Sequence, residues 1–363
     1  MRGNHLHQQE DMFSYVSMES VIPIGHPIRK IKELVDPIFE KLSPEFDKIY
    51  SATGRPSIPP EQLLKALLLQ VLFTVRSERQ LIEQLHYNLL YRWFVGLGMS
   101  GSVWDQSTFV KNRDRLLDGE IADKFFREVV AFAEKKKLIS KEHFSVDGSI
   151  VHAWASLKSF QEKEKSEDKK NDPDDRNPSV DFKGEKRSNA THESTTDPEA
   201  KIYTKSAKEA AKLSYMGHAM TENRNGLVVD ARLTVPGYHE EPMAALEMAM
   251  GLGGSRRKTI GADKHYDQPY FCESLQSMGV TPHVAQNIHA RKHNSAIDGR
   301  TTRHEGYDVS QRKRKRIEEV FGWLKTIGLM RRPMFRGKKR MEFAWVFALS
   351  CYNLVRIKNL CAA

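Results

Sequence analysis

The sequence predicts an α/β domain, with a mixed sheet flanked by helices, behind an all-α N-terminal domain. Two observations carry that prediction. From 59 to about 138 the apolar residues recur at helical spacing throughout. From Phe144 onward, short β-rich runs alternate with helical runs. A chain of 363 residues, 39% hydrophobic and 29% charged, can hold a large core split over two domains. The expected boundaries are an N-terminal arm with a short helix at 1–55, a helical domain at 56–140 and the α/β domain at 141–363.

In the helical part, Pro59 and Pro60 lead into a mostly buried helix through Phe73. Ser77, Glu78, Arg79 and Gln80 have the form of a capping box ahead of a second helix through Trp93. A glycine-rich turn, 96–101, follows. Ser107 is then the expected cap of a third helix, 108–117, carrying Lys111, Arg113 and Arg115. Two helices, a turn and a basic third helix fit a helix-turn-helix DNA reader, and equally a bundle used for packing or dimerisation.

At Phe144 the pattern turns to strand, with 144–151 as the first. The tract 161–200 carries twelve acidic and eight basic side chains but four apolar ones, so a flexible insertion is expected there. A hairpin follows, 213–220 and 227–235, flanking the turn 222–226. Then come a helix at 240–252, a strand at 259–262 ending on Asp263, a helix at 268–278 and a last strand at 281–285. A single basic helix across 312–325 closes the series.

Charge is concentrated in that last region. Residues 311–340 hold twelve Lys or Arg against two Glu, a net +10 that equals the formal charge of the whole chain. The basicity is local, as a binding surface for a polyanion requires, with nucleic acid ahead of an acidic membrane. Cys272, Cys351 and Cys361 form no CxxC pair, which fits buried thiols in a reducing compartment and gives no zinc site. Residues 1–10 are polar, and the longest apolar stretch, 343–355, is too short and interrupted to span a bilayer. A soluble, cytoplasmic protein with no membrane partner is expected.

The basic helix also contains carboxylates, which a helix that only grips phosphate does not need. On one continuous helix, Arg314, Glu318 and Lys325 fall within roughly 40° of one another. Ile317, Val320, Phe321 and Leu324 form the apolar stripe beside them. Glu319 points about 100° away from Glu318, which leaves Glu318 at the rim of the buried face. Asp147 on the first strand and Asp263 just past a later one are the other acids at element ends. Carboxylates converging from separate elements hold two Mg²⁺ or Mn²⁺ roughly 3.5–4 Å apart for in-line displacement at phosphorus. Oxygen-only ligands favour these ions over zinc.

These residues resemble the catalytic core of DDE transposases, and among them the bacterial insertion-sequence-five family. The resemblance rests on Val146-Asp147-Gly148-Ser149, on Gly261-Ala262-Asp263-Lys264, and on Arg314 with Glu318 and Lys325. Supporting signatures are Arg92-Trp93-Phe94-Val95-Gly96-Leu97, Ser107-Thr108-Phe109 and Ile317-Glu318-Glu319-Val320-Phe321-Gly322-Trp323. The resemblance spans about 56–361. One position departs from it: Gln311 stands where the family's tyrosine-arginine-glutamate-lysine motif has tyrosine.

The resemblance implies an RNase H-like catalytic domain at 141–363. It makes Asp147, Asp263 and Glu318 the catalytic and metal-binding triad, with Arg314 and Lys325 on DNA phosphate. Arg312, Lys313, Arg316, Arg331 and Arg332 join the expected DNA contacts, as do Arg336, Lys338, Lys339 and Arg340, and Lys264 is expected either to touch phosphate or to be simple surface charge. His152 and His265 are expected either to assist proton transfer or to be structural. Trp154 and Trp323 are expected either to stack on an unpaired base or to be buried. The implied activity is transposition: binding of terminal inverted repeats, strand cleavage by metal-activated water, and attack of the 3′-OH on target DNA. The implied partners are double-stranded DNA and further copies of the chain, in a bacterial, nucleoid-associated setting. A transposase-derived regulator without catalysis, and a nuclease that cuts but does not join, are the alternatives.

Overall fold

The computed structural model describes residues 16–50, 53, 57–118, 120–163, 187–204, 210–237, 239–254, 257–287 and 295–362. Seven helices come first: α1 (Met18–Val21), α2 (Pro27–Ile49), α3 (Pro60–Leu72), α4 (Glu78–Tyr87), α5 (Leu89–Val95), α6 (Gln106–Asp118) and α7 (Ile121–Lys135). Where a short N-terminal helix is expected, α2 runs for 23 residues and buries Ile28, Ile31, Val35, Phe39, Leu42 and Phe46 at helical spacing. The helix expected from Ser77 to Trp93 is broken at Asn88, whose Oδ1 accepts from the backbone N–H of Leu90 (3.0 Å) and Tyr91 (3.4 Å). That side chain competes with the helix for its own backbone.

The cap of α6 is Asp105, not Ser107: its Oδ1 accepts from Thr108 N at 2.9 Å and from Ser107 Oγ at 2.6 Å. The basic face of α6 is partly spent on packing. Arg113 is buried against Glu78 and Asp114, with its guanidinium 5.1 Å from the Phe335 ring centroid. The structure therefore favours the packing role of these helices over groove reading by Arg113. Arg92 is also internal. It donates to the carbonyls of Leu85 (2.9 Å), Gly98 (3.1 Å) and Gly101 (2.6 Å), holding the turn that begins at the left-handed Gly96.

The strands are β1 (His143–His152), β2 (Phe160–Glu162), β3 (His192–Ser194), β4 (Lys201–Tyr203), β5 (Lys212–Glu222), β6 (Val228–Thr234), β7 (Lys258–Ala262) and β8 (Val280–Val284). The helices among and after them are α8 (Glu240–Met250), α9 (Pro269–Ser277), α10 (Gly299–Thr302), α11 (Glu305–Arg314), α12 (Ile317–Thr326) and α13 (Lys338–Leu360). The main sheet runs β4-β5-β1-β7-β8, with β6 also paired to β5. β1 is antiparallel to β5 and parallel to β7, and β7 is parallel to β8, so the sheet is mixed.

Side-chain alternation gives the two faces of this sheet different covers. Phe144, Val146, Ile260 and Ala262 pack under Ala245, Leu246 and Ala249 of α8 and Phe271 and Leu275 of α9. On the other face Val151, Tyr215 and Ala219 join a cluster containing Val320 and Leu324 of α12, Trp345 and Phe347 of α13, and Phe125 of α7. The same cluster continues into α2 and α3, so the helical region and the sheet share one core. A mixed sheet with helices on both faces fits an RNase H-like fold.

Two further expectations are corrected. The tract expected to be flexible at 161–200 is folded at 187–200: β2 pairs with β3, and Ser194, Asp197 and Ala200 are buried. Polar contacts hold it in place of apolar area. Asp197 Oδ1 accepts from Tyr215 Oη (2.7 Å) and from Gly337 N (3.1 Å), and Glu199 accepts from Lys338 N (2.7 Å). The returning chain thus caps α13 in trans. Residues 164–186 lie outside the described residues. The second correction concerns the basic helix, which is two helices. Between α11 and α12 the N–H groups of Arg316, Glu318 and Glu319 bond three residues back, a 3₁₀ step. Among the described residues no helix is long and apolar enough to cross a membrane. Cys272 and Cys351 are buried, whereas Cys361 is exposed.

Candidate active site

Strand register sets the relation between Asp147 and Asp263. β1 and β7 pair Phe144 with Ile260 and Ser145 with Gly261. Two residues on, that register brings Asp147 level with Asp263, where β7 has just ended. Neighbouring strands lie about 4.8 Å apart, and residues two positions on share a face. Both acids therefore emerge on one side of the C-terminal edge of the parallel strands, where open α/β sheets bind ligands. Each has one oxygen fixed by backbone: Asp147 Oδ1 accepts from Gly148 N at 2.8 Å, and Asp263 Oδ1 from His265 N at 2.8 Å. Asp263 thereby caps the 3₁₀ turn Lys264–Tyr266.

α11 lies over that face, with the Ser310 carbonyl 3.6 Å from where a Cβ on Gly261 would sit. Gln311 ties α11 to the sheet by donating to the His283 carbonyl of β8. Its Oε1 accepts from Arg314 Nε at 3.4 Å. The residue that stands in the motif's tyrosine position thus orients the neighbouring arginine. Glu318 lies in the first turn of α12 and is exposed, and Lys325 is half-buried in its last turn. Because the 3₁₀ step turns about 120° per residue against 100° in an α-helix, Arg314 and Glu318 are not aligned as one α-helix would align them.

A further acid belongs to this edge, and the motifs did not reveal it. Glu241, in the first turn of α8, lies against Gly148: a Cβ there would stand 2.9 Å from its Oε1. Its Oε2 is 3.9 Å from His265 Nε2. Tyr266, wholly buried below, registers the group. Burial above all pushes its phenol well above the ordinary range; Glu241, Asp147 and Asp263 add to the push and Arg314 opposes it. Burial, with Glu241 second, likewise raises Tyr203 at the end of β4. Four charged side chains, on β1, just past β7, on α8 and on α11, thus lie around Tyr266. The sequence signal was the acid pair Glu240 and Glu241 opening a helix after a strand, which reads equally as a helix-dipole pattern.

Comparison with known proteins bears on the family. Residues 16–115 match the model of a transposase domain, and residues 179–354 match that of the transposase DDE domain. The chain belongs to the DDE transposases. No curated protein matches it. Among solved structures it is similar to piggyBac transposase in a synaptic complex with hairpin DNA, at 10% identity and TM-score 0.44, over 93% of this chain and 76% of that one. It is also similar to the Mos1 mariner paired-end complex with Mn, at 12% identity and TM-score 0.21, over 91% and 86%. A Mos1 paired-end complex with the left transposon end shows 11% identity and TM-score 0.20, over 63% and 61%.

DDE transposases use divalent metals, and the donor chemistry of this one fits them. Asp147, Asp263 and Glu318 offer hard oxygens alone, as Mg²⁺ and Mn²⁺ prefer. Gly148, lacking a Cβ, leaves the space beside Asp147 to another carboxylate. Among the described residues no three His, Cys, Asp or Glu groups stand close enough together to hold one ion. The aspartate pair of the transposase is set by the sheet, whereas Glu318 stands on a separate helix.

The basic residues divide into two kinds. Lys264, Arg312, Arg331, Arg336, Lys339 and Arg340 are exposed, although Arg340 also pairs with Asp114 at 3.0 Å. Others are partly engaged within the transposase: Arg316 donates to the Arg224 carbonyl at 2.9 Å, and Arg332 to the carbonyls of Ala153 (3.2 Å) and Trp154 (2.9 Å). Arg332 also lies over the Trp154 ring, 5.1 Å from its centroid, leaving that tryptophan partly exposed. Trp323 packs edge-on against Tyr352. His152 Nδ1 lies 3.3 Å from Ser214 Oγ, a contact within the sheet.

Proposed function

We propose that this transposase binds the terminal repeats of its own element, cleaves a strand to expose a 3′-OH, and joins that hydroxyl to target DNA. The observation that carries the reading is the levelling of Asp147 with Asp263 beside Arg314, in a chain of the DDE family. Asp147, Asp263 and Glu318 are the residues that hold the metal. Two Mg²⁺ or Mn²⁺ ions, when bound, activate the attacking oxygen and stabilise the leaving one in both steps.

The protein's own part is to place the phosphate. Arg314, braced by Gln311, and Lys325 bind the non-bridging oxygens at the scissile position, where charge accumulates. Lys264, Arg312, Lys313, Arg316, Arg331 and Arg332 extend that grip along the backbone without reading sequence. Residues 56–140 act as the helical domain and 141–363 as the catalytic domain, and a homo-oligomer holds both ends together.

The test is a cleavage and joining assay on the element's terminal DNA with Mg²⁺, comparing the chain with Glu318→Gln. Metal-dependent nicking and joined product, both lost in the variant, are expected. Nicking without joining points instead to a nuclease. Tight binding without a cut in either protein points to a regulator.

A further inference from the structure

We propose that Lys135, Lys136, Lys137, Arg224, Arg316 and Arg356 form a second DNA surface, which grips the phosphate backbone of a duplex. The proposal rests on the transposase reading given above and extends it to residues that no motif of the sequence contains. Outside 311–340 the formal charges of the chain cancel, so composition hides this cluster.

Position is the first argument. The turn between β5 and β6, 222–226, draws in cations from other elements. Arg316, at the start of α12, donates to the Arg224 carbonyl at 2.9 Å, and Arg356 of α13 to the Asn225 carbonyl at 2.8 Å. Arg224 in turn donates from its guanidinium to the Lys137 carbonyl, and Asn225 Nδ2 to that of Leu138 at 2.6 Å. The end of α7, with its consecutive lysines, is thereby pinned against the turn. Lys135, Lys136, Lys137 and Arg224 are exposed, and Arg316 and Arg356 are half-buried. Glu222 pairs with Phe144 of β1, three residues before Asp147, which puts the turn about 10 Å along the strand from that acid. One turn of duplex spans roughly 34 Å, so DNA engaged at Asp147 also reaches this surface.

Charge is the second argument. The carboxylate of the turn itself does not neutralise these cations. Glu222 is wholly buried and spends its oxygens on the backbone N–H groups of Ser140, Arg224, Asn225 and Leu227. Glu134 is taken by Lys141 at 3.4 Å, and Glu319 lies with Arg316 and Arg356 around Tyr352. Among the described residues none of the six cations forms a salt bridge. Lysines at a helix end also complement the dipole, but that effect fades beyond the last turn and does not call for Arg224. Lys137 shows the same preference for charge at the level of the backbone. It has φ 57°, the left-handed position of a helix stop where glycine is usual, with Leu138 N–H bonded to the Ala133 carbonyl at 2.9 Å. A lysine kept at a strained position points to a use for its ammonium.

The test is fluorescence anisotropy of the full chain on a labelled duplex of random sequence, across a KCl series. Lys135→Ala/Lys136→Ala is expected to lower the slope of log affinity against log salt by about 1.8, and Lys137→Gly by about 0.9. The control, Lys41→Ala/Lys48→Ala, removes two exposed lysines that Glu128 and Glu45 already hold, and should keep the wild-type slope. Lys137→Gly should also raise the melting temperature, because glycine relieves the left-handed backbone while its carbonyl still accepts from Arg224. Weaker binding by a more stable protein does not come from unfolding. Wild-type slopes in both surface variants overturn the proposal and leave the transposase reading standing. An equal fall in the control also overturns it, since net charge alone then accounts for the loss. A wild type without salt-dependent DNA binding refutes the transposase reading itself.

Discussion

Lowering the pH from about 7.5 to about 5 is expected to cost the fold about 2 kcal/mol through His218 alone. His218 sits in the middle of β5, opposite Gly148 of β1, and is 1% exposed. Its Nε2 meets Thr234 Oγ1 at 2.8 Å, while its Nδ1 is buried without a hydrogen-bond partner. Burial pulls the imidazole from 6.5 down to about 3. Above 6.5 neither the folded nor the unfolded chain carries the proton, so stability does not depend on pH through this group. Below 6.5 the unfolded chain takes a proton that the fold refuses, and stability falls by about 1.4 kcal/mol per pH unit until about pH 3. At about pH 5 that amounts to 1.5 units, or about 2 kcal/mol. His283 acts with the same sign: burial first, then the positive charges of His143, His304 and Arg257, lower it to about 4. Asp123, Asp230 and Glu342, raised mainly by burial, act oppositely and gain stability as the pH falls. The readout is therefore a difference: urea unfolding of wild type and His218→Gln at both pH values. The wild type should lose about 2 kcal/mol more than the variant. Equal losses would refute the argument that burial holds this imidazole neutral.

Further outcomes follow from single contacts. Asp147→Asn should abolish cleavage while leaving end binding within about threefold in a gel-shift assay, because phosphate affinity resides in Lys and Arg. Asp197→Ala removes the acceptor of Tyr215 Oη and Gly337 N and should cost about 1–3 kcal/mol in urea unfolding. Gly217→Ala would place a Cβ 2.5 Å from Cζ2 of the buried Trp345, so a loss of about 1–3 kcal/mol or more is expected in thermal melting. Arg331→Ala should weaken binding equally to end and random DNA and lower the salt slope by about 0.9.

Much of the sheet was legible because apolar alternation sets both the strands and their faces. β1, the β5–β6 hairpin, β7, α9 and β8 lie within a few residues of their sequence expectations. What escaped is held by polar contacts that composition does not register. The tract around Asp197 is poor in apolar residues, yet Ser194 Oγ accepts from Asp197 N at 3.1 Å, and Asp197 in turn bonds Tyr215 and Gly337. A buried network of this kind orders a segment through hydrogen bonds, and hydrophobicity counts read it as loop. The 3₁₀ step between α11 and α12 was equally invisible, since Lys315 and Arg316 both keep right-handed helical backbone angles. Only the change from four-residue to three-residue hydrogen bonds marks it.

The site was legible in the same uneven way, for a reason rooted in what fixes each acid. Asp147 and Asp263 are level because β1 and β7 are parallel and in register, although Asp147 stands mid-strand in β1 rather than at the element end expected, and only Asp263 follows a strand end. A one-residue slip would send one of them to the opposite face, so the burial pattern of both strands protects the pairing. Glu318 is fixed by neither constraint: it is exposed, within the 3₁₀ step itself, and its distance from the sheet depends on how α11 and α12 sit. Glu241 is fixed most simply, by the absence of a side chain at Gly148. The dipeptide Asp147-Gly148 thus has a physical meaning beyond its motif. The aspartate supplies a carboxylate on one face of β1, and the glycine opens the other face so that a second carboxylate reaches the same edge.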